Sequence, residues 1–127
     1  EVPVCGPSLM HLCGQTLTLA DLAAYPFISL GRETASYAFA YNLFAENGAA
    51  FSPDIEVATS DQILPLVRQD LGVAFLPEAF AAPALQAKEI GRLTLTEVVP
   101  PRQLLMARRS GQALSIAAKA LEAMILG

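Results

Sequence analysis

The sequence has little of what catalytic, metal and nucleic-acid sites are usually made from. Its 127 residues include no tryptophan, one histidine and two cysteines, and only 16 % of them are charged. A metal site needs more ligands than His11, Cys5 and Cys13 can supply, and His11 has no recognisable nucleophile or carboxylate partner. Twelve acidic residues outnumber eight basic ones, for a net charge of −4. We therefore expect no metal, no cofactor and no direct DNA binding by this chain.

Targeting and cross-linking features are also lacking. The chain shows no signal peptide, and no apolar run reaches the roughly 20 residues that cross a bilayer. We therefore predict a cytoplasmic protein, no membrane contact, and reduced thiols at Cys5 and Cys13. Because residue 1 is Glu1 rather than methionine and "EVPVC" already resembles the middle of a strand, we also expect this chain to be a segment of a longer protein.

The apolar residues predict an ordered domain with alternating strands and helices. Hydrophobic residues make up 54 % of the chain, and its mean hydropathy is +0.44, which favours a sizeable core. Strand patterns occur at 1–5, 26–30, 54–58, 72–76, 89–95 and 102–109, and residues 5–15 resemble a loop. Helical patterns occur at 18–24, 33–46, 78–85 and 113–126, and around a stripe of Ile63, Leu64, Val67 and Leu71. This alternation predicts an α/β fold with a mostly parallel sheet, and Arg102, Arg108 and Arg109 would lie on its solvated edge.

Two strand ends are candidate binding places. Ligands of parallel sheets bind beyond the carboxyl ends of strands, where helices begin. The segment "GRETAS" (31–36) follows one strand, and Thr59 follows another. Arg32 could pair with a carboxylate in a bidentate manner. The alternative is that these hydroxyl and carboxyl groups only cap helices; the groups concerned are Thr34 or Ser36, and Ser60 or Asp61.

The order and spacing of several motifs carry a family resemblance. The run "LTLADLAAYPFISLG", a helix ending "LFAENG", and "IEVATSDQILPLVRQDLGVAFLPE" together resemble the effector-binding domain of LysR-type transcriptional regulators. Residues 67–77 match that family's "lV..GlG.a.lP" pattern almost position by position. The "GPSLMHL" segment resembles its "HPL" loop, although no proline follows His11. The run "LLMARRSGQALSIAAKALEAMI" resembles the family's closing strand and helix.

This resemblance implies a fold, a boundary and a role. The fold would be that of type II periplasmic binding proteins, truncated on its N-terminal side. Residues 6–96 would form the second lobe, and residues 97–127 the return strand and C-terminal helix of the first. A small effector, for which Arg32 favours an anion, would bind between the lobes and control DNA binding by a winged helix-turn-helix that this chain lacks. The candidate effector-binding residues are Ser29, Gly31, Arg32, Thr34, Ser36 and Thr59.

Two other functions and an assembly state remain open at this point. A solute-binding protein of a transporter shares the fold, and a small α/β enzyme would need an acid–base pair near Arg32. The predicted helix 113–126 has an apolar face at Leu114, Ala117, Leu121 and Met124. Such a face is stabilised mainly by burial. We therefore expect a homodimer or a higher oligomer.

Overall fold

The computed structural model describes all 127 residues, and its elements alternate as the sequence pattern predicts. The strands are β1 (Val2–Cys5), β2 (Thr16–Leu17), β3 (Ile28–Leu30), β4 (Ile55–Val57), β5 (Ala74–Leu76), β6 (Gly91–Arg92) and β7 (Thr94–Leu95). The α-helices are α1 (Leu19–Leu22), α2 (Ala35–Glu46), α3 (Ile63–Arg68), α4 (Glu78–Gln86) and α5 (Ile116–Leu126). Two 3₁₀ helices span Pro7–Gly14 and Ser60–Gln62. The first of them replaces the predicted loop 5–15, and the predicted strand 89–95 is divided into β6 and β7.

The central sheet is mixed rather than uniformly parallel. Strands β3 and β4 are parallel, and a parallel bridge between Phe27 and Val73 connects the β3 side to β5. Strand β1 lies between β5 and β6 and is antiparallel to both. Strands β2 and β7 form a separate parallel pair. The α/β fold is confirmed, whereas the antiparallel β1 was not expected, because the alternation pattern does not show which strands become neighbours.

Short polar motifs determine where two of the helices begin. The Thr18 hydroxyl accepts from the Asp21 N–H at 3.1 Å, and the Asp21 carboxylate accepts from the Thr18 N–H at 2.8 Å. This reciprocal capping box starts α1, within the helical pattern predicted at 18–24. Helix α2 begins with a one-way N-cap, in which the Tyr37 N–H donates to the Thr34 hydroxyl at 3.1 Å.

The core consists of two clusters on opposite faces of the sheet. Successive side chains of a strand point to opposite faces; Ala74 and Leu76 of β5 therefore join one cluster, whereas Val73 and Phe75 join the other. The second cluster contains an edge-to-face pair, Phe27 and Phe44, with ring centroids 5.9 Å apart. The sheet is thus covered on both sides, which explains why β1 and β5 are apolar throughout.

The C-terminal quarter differs most from the sequence prediction. Residues 102–109 form no strand, because no other strand of this chain lies beside them to complete a ladder. Helix α5 begins at Ile116, after the N-cap Ser115, and Leu121 and Met124 on its predicted inner face are 56 % and 81 % exposed. Every buried residue lies between Val2 and Leu93. No helix is long and apolar enough to cross a membrane.

Candidate functional site

A crevice lies beside β3, where the first turn of α2, the end of β5 and the 3₁₀ helix Ser60–Gln62 converge. Its cavity volume is about 130 Å³, and eight of its fourteen lining residues are hydrophobic. The polar groups come from separate parts of the chain, and they are Glu1, Ser29, Ser36, Ser60 and Arg102. A mostly apolar hollow with a few convergent polar groups is the usual form of a small-molecule site.

Ser29 supplies a buried hydroxyl to this crevice. It is the only buried polar side chain of the chain, at 6 % exposure, and its Oγ donates to the carbonyl of Leu30 at 2.9 Å. A hydroxyl that donates one hydrogen bond still has lone pairs that can accept another. Ser29 can therefore accept a hydrogen bond from a ligand without breaking its own.

Arg102 is the only cationic side chain in the crevice. Its Nη1 donates to the Glu1 carboxylate at 2.7 Å and to the Ser36 hydroxyl at 2.8 Å. Its guanidinium carbon lies 5.5 Å from the centroid of the Phe39 ring, within the range of a cation–π contact. The Arg102 side chain is 33 % exposed and that of Glu1 only 9 %. The crevice thus holds one partly desolvated ion pair on an aromatic surface.

The six residues predicted from sequence have different surroundings. Ser29 and Ser36 line the crevice, and Ser60 does so in place of its neighbour Thr59. Thr59 is exposed, and its N–H donates to the Gln62 side-chain oxygen at 3.3 Å, which stabilises the turn after β4. The structure thus brings the three serines together and leaves Thr59 outside.

The remaining predicted residues lie around the start of α2 but not in the crevice lining. The Thr34 hydroxyl caps α2 and also donates to the Gly31 carbonyl at 2.7 Å, so capping explains this residue. Gly31 is buried beside the Glu33 carboxylate. Arg32 is exposed and forms no ion pair. A role for Arg32 in binding a carboxylate therefore stays a prediction, and the structure offers Arg102 as a better-placed cation.

Sequence reasoning missed Arg102 because its role depends on distant parts of the chain. Arg102 follows Pro100 and Pro101 and precedes an apolar run, a pattern that we assigned to a solvated strand edge. Its two hydrogen-bond partners lie 101 and 66 positions away. No local spacing signals such contacts.

Glu97 anchors the segment that leads to Arg102. Its carboxylate accepts from the Leu19 N–H at 3.1 and 3.2 Å, and from the Thr96 hydroxyl at 2.9 Å. Partial burial by itself would raise the pKa of Glu97, but these hydrogen bonds outweigh it and hold the pKa below its usual value. The ionised form of Glu97 is thus the one that holds the chain against α1.

Comparison with known sequences gives a single family. The model of the LysR substrate binding domain family matches residues 2–127. No curated protein matches the chain.

Solved structures of regulator domains share the fold. The effector domain of the transcriptional regulator AmpR of Pseudomonas aeruginosa has 24 % identity and a TM-score of 0.65 over 98 % of this chain. The effector-binding domain of QuiR in complex with shikimate has 21 % identity and a TM-score of 0.73, also over 98 %. Full-length LysG of Corynebacterium glutamicum with bound effector Arg has 25 % identity and a TM-score of 0.53 over 72 %. This chain covers 57 %, 58 % and 31 % of those three chains.

Proposed function

The chain belongs to the LysR substrate binding domain family, and we propose that its crevice binds a small carboxylate effector through Arg102. The ligand-sensing regulatory role predicted from sequence is confirmed by this membership, and a solute-binding protein of a transporter is thereby set aside. The type II periplasmic-binding-protein fold is confirmed as well. The chemical class of the effector is the new part of the proposal.

The observation that carries this proposal is the ion pair between Arg102 and Glu1. A guanidinium has five N–H donors in a planar fork that fits a carboxylate. Here Nη1 already bonds to one carboxylate oxygen of Glu1. A carboxylate ligand that replaces Glu1 keeps the charge of the crevice balanced, whereas a neutral ligand would leave the guanidinium without an anion in a partly desolvated place.

The size of the crevice limits what can enter it. Its volume of about 130 Å³ is smaller than the roughly 300–1,000 Å³ of pockets that take drug-sized ligands. This space admits a carboxylate and a few further atoms, and a larger effector requires the Arg102 side chain to move outward. The bound shikimate of QuiR and the bound effector Arg of LysG both carry a carboxylate, which supports the choice of this class.

The wider setting of the chain is part of the same proposal. We infer that residues 6–96 form one lobe, that residues 97–127 return to another, and that the effector lies between them. We also infer that the chain is a cytoplasmic, non-catalytic sensor that acts on DNA through a separate domain. Its net charge of −4 supports the inference that a separate domain binds DNA, because phosphate binding needs clustered basic residues.

A paired ligand panel tests the effector class. Each small carboxylic acid is matched with its primary amide, and thermal unfolding of the chain is followed with increasing ligand. A ligand that binds only the folded state at about one hundred times its Kd stabilises it by about 2.7 kcal/mol. We expect acids to raise the Tm and their amides to leave it unchanged. Equal shifts for acid and amide would contradict the proposal.

A mobility-shift measurement tests the inference that this chain does not bind DNA itself. At low salt, where electrostatic binding is strongest, we expect the chain to leave a duplex carrying the parent regulator's promoter unshifted. A sequence-specific shift would contradict the inference that DNA is bound elsewhere.

A further inference from the structure

The two cysteines of this chain lie next to each other. Cys5 is the last residue of β1 and is completely buried, whereas Cys13 lies near the end of the 3₁₀ helix Pro7–Gly14 and is half-buried. Their Sγ atoms are 3.9 Å apart, share an S–H···S hydrogen bond and form no disulfide. No other thiol is present in the chain, so each is the natural reaction partner of the other.

Gly91 provides the space in which the two sulfurs meet. It pairs with Cys5 across the β1–β6 ladder. A Cβ atom at Gly91 would lie 2.5 Å from the Cys13 Sγ and 3.2 Å from the Cys5 Sγ. Both sulfurs therefore face the same stretch of bare backbone. A disulfide has an S–S length of about 2.05 Å, so closure requires the sulfurs to approach by about 2 Å from their present separation.

The two thiols are chemically unequal. Burial, together with the neighbouring Cys13, raises the pKa of the Cys5 thiol to about 12, so Cys5 is protonated at neutral pH and reacts with a peroxide more slowly than an accessible thiol does. Cys13 is the one that solvent reaches. An oxidant from solvent therefore reaches Cys13 first, and Cys5 lies behind it in the protein interior.

We propose that Cys5 and Cys13 form a redox-responsive dithiol, which a peroxide converts reversibly into an intramolecular disulfide. The Cys13 thiol gives up its proton and attacks one peroxide oxygen as the thiolate, the O–O bond breaks, and Cys13 becomes a sulfenic acid. The departing hydroxide takes up the released proton and leaves as the first water. The Cys5 sulfur then attacks the Cys13 sulfur and the S–O bond breaks. The hydroxyl group leaves with the Cys5 proton as a second water. The two thiols lose two electrons in all, and the peroxide gains them.

The disulfide would return to the dithiol by exchange with a small dithiol reductant. It would attach the 3₁₀ helix Pro7–Gly14 covalently to the end of β1. That helix is otherwise held by the packing of Leu12 in the core and by the hydrogen bonds from the Ser8 N–H and hydroxyl to the Asp70 carboxylate, both 2.9 Å long. Oxidation is thus a modification of this segment and does not depend on the effector crevice.

The test is peroxide treatment of the chain, followed by unfolding in denaturant, trapping with a maleimide and measurement of the intact mass. We expect the untreated chain to take up two maleimides, and the oxidised chain to take up none while losing two hydrogen atoms in mass. A dithiol reductant should restore both sites. Peptide mapping should recover one fragment in which Cys5 is linked to Cys13.

Two variants separate the roles of the cysteines. Cys13→Ser should leave Cys5 as a thiol that peroxide does not oxidise. Cys5→Ala, a replacement by another small apolar residue, should stop at a Cys13 sulfenic acid that dimedone traps. Disulfide-linked dimers alone, oxidation of Cys13 that the reductant does not reverse, or unchanged maleimide uptake would each overturn the proposal. The mapping of the unmodified chain decides the question even if a variant fails to fold.

Discussion

The Nη1 of Arg102 donates a 2.8 Å hydrogen bond to the Ser36 hydroxyl at the start of α2. Ser36 belongs to the compact part of the chain that contains every buried residue, whereas Arg102 belongs to the exposed C-terminal part. This contact and the ion pair to Glu1 connect the two parts at the crevice. A ligand that displaces them would alter how the C-terminal part is held, which is a direct physical route from binding to a signal.

Arg102→Ala should weaken carboxylate binding by about 1.5–3 kcal/mol, the usual value of a hydrogen bond to a charged group, or roughly tenfold to a hundredfold in Kd. Arg102→Lys should retain only part of the affinity for the carboxylate, since an ammonium lacks the planar fork of donors that a guanidinium has. Isothermal titration with a carboxylate from the ligand panel measures these differences.

Arg32→Ala is the decisive comparison, because sequence reasoning favoured Arg32 as the carboxylate partner. We expect the Arg32→Ala variant to bind carboxylates nearly as tightly as the unmodified chain does, since Arg32 is exposed and outside the crevice lining. In the full regulator it should likewise leave the response to effector and DNA binding intact. If Arg32→Ala abolishes the effector response and Arg102→Ala does not, the sequence prediction is right and our assignment is wrong.

The exposed face of α5 should cause the chain to associate. Leu121, Met124 and Ile125 are 56 %, 81 % and 59 % exposed, and burying such a side chain contributes about 1.5–3 kcal/mol. We expect dimers or higher oligomers in light scattering, and we expect Leu121→Glu combined with Met124→Glu to shift the chain towards a monomer.

The matched control for that double change is Ala120→Glu combined with Ala123→Glu on the same helix, which adds the same two negative charges at exposed positions while sparing the large apolar side chains. It should leave the association unchanged. The role of this face would be refuted if the unmodified chain is a monomer and if Leu121→Glu combined with Met124→Glu changes neither its solubility nor its stability.

Glu97→Gln should make the stability of the chain less dependent on pH. The folded-state pKa of Glu97 is lowered, so its stabilisation is fully present above the unfolded pKa of about 4.3 and is lost as the pH falls through the folded value. The difference in Tm between the two proteins should therefore be largest near neutral pH and should shrink in acid. A constant difference over this range would show that the charge of Glu97 is not involved.

Phe44→Ala should destabilise the chain by about 3–5 kcal/mol, because it opens a cavity among packed aromatic rings. Phe44 is 1 % exposed and contacts Phe27 and Phe51. Phe80→Ala removes the same side chain where it is 49 % exposed, and we expect it to cost about 1 kcal/mol or less. Urea unfolding of both variants gives the comparison; similar losses would mean that Phe44 is not a core residue of the chain in solution.

The sequence by itself determined most of the local structure. The capping box at Thr18, the start of α2 near Thr34 and the apolar strand β5 all follow from residues a few positions apart. Helix caps and side-chain periodicity are short-range effects, so they are visible without knowledge of the neighbours. The family motif at residues 67–77 is also local, and it led to the correct fold and role.

Only the tertiary structure decided the arrangement of the crevice. It placed Arg102 beside Ser36 and left Arg32 outside, and it gave residues 102–109 no strand to pair with. These outcomes depend on which distant backbone groups and charges come together, and a strand forms only where another strand completes its hydrogen bonds. A local sequence pattern indicates whether a segment tends to be buried or extended. The groups that form hydrogen bonds with its backbone and charged side chains, however, come from distant parts of the chain.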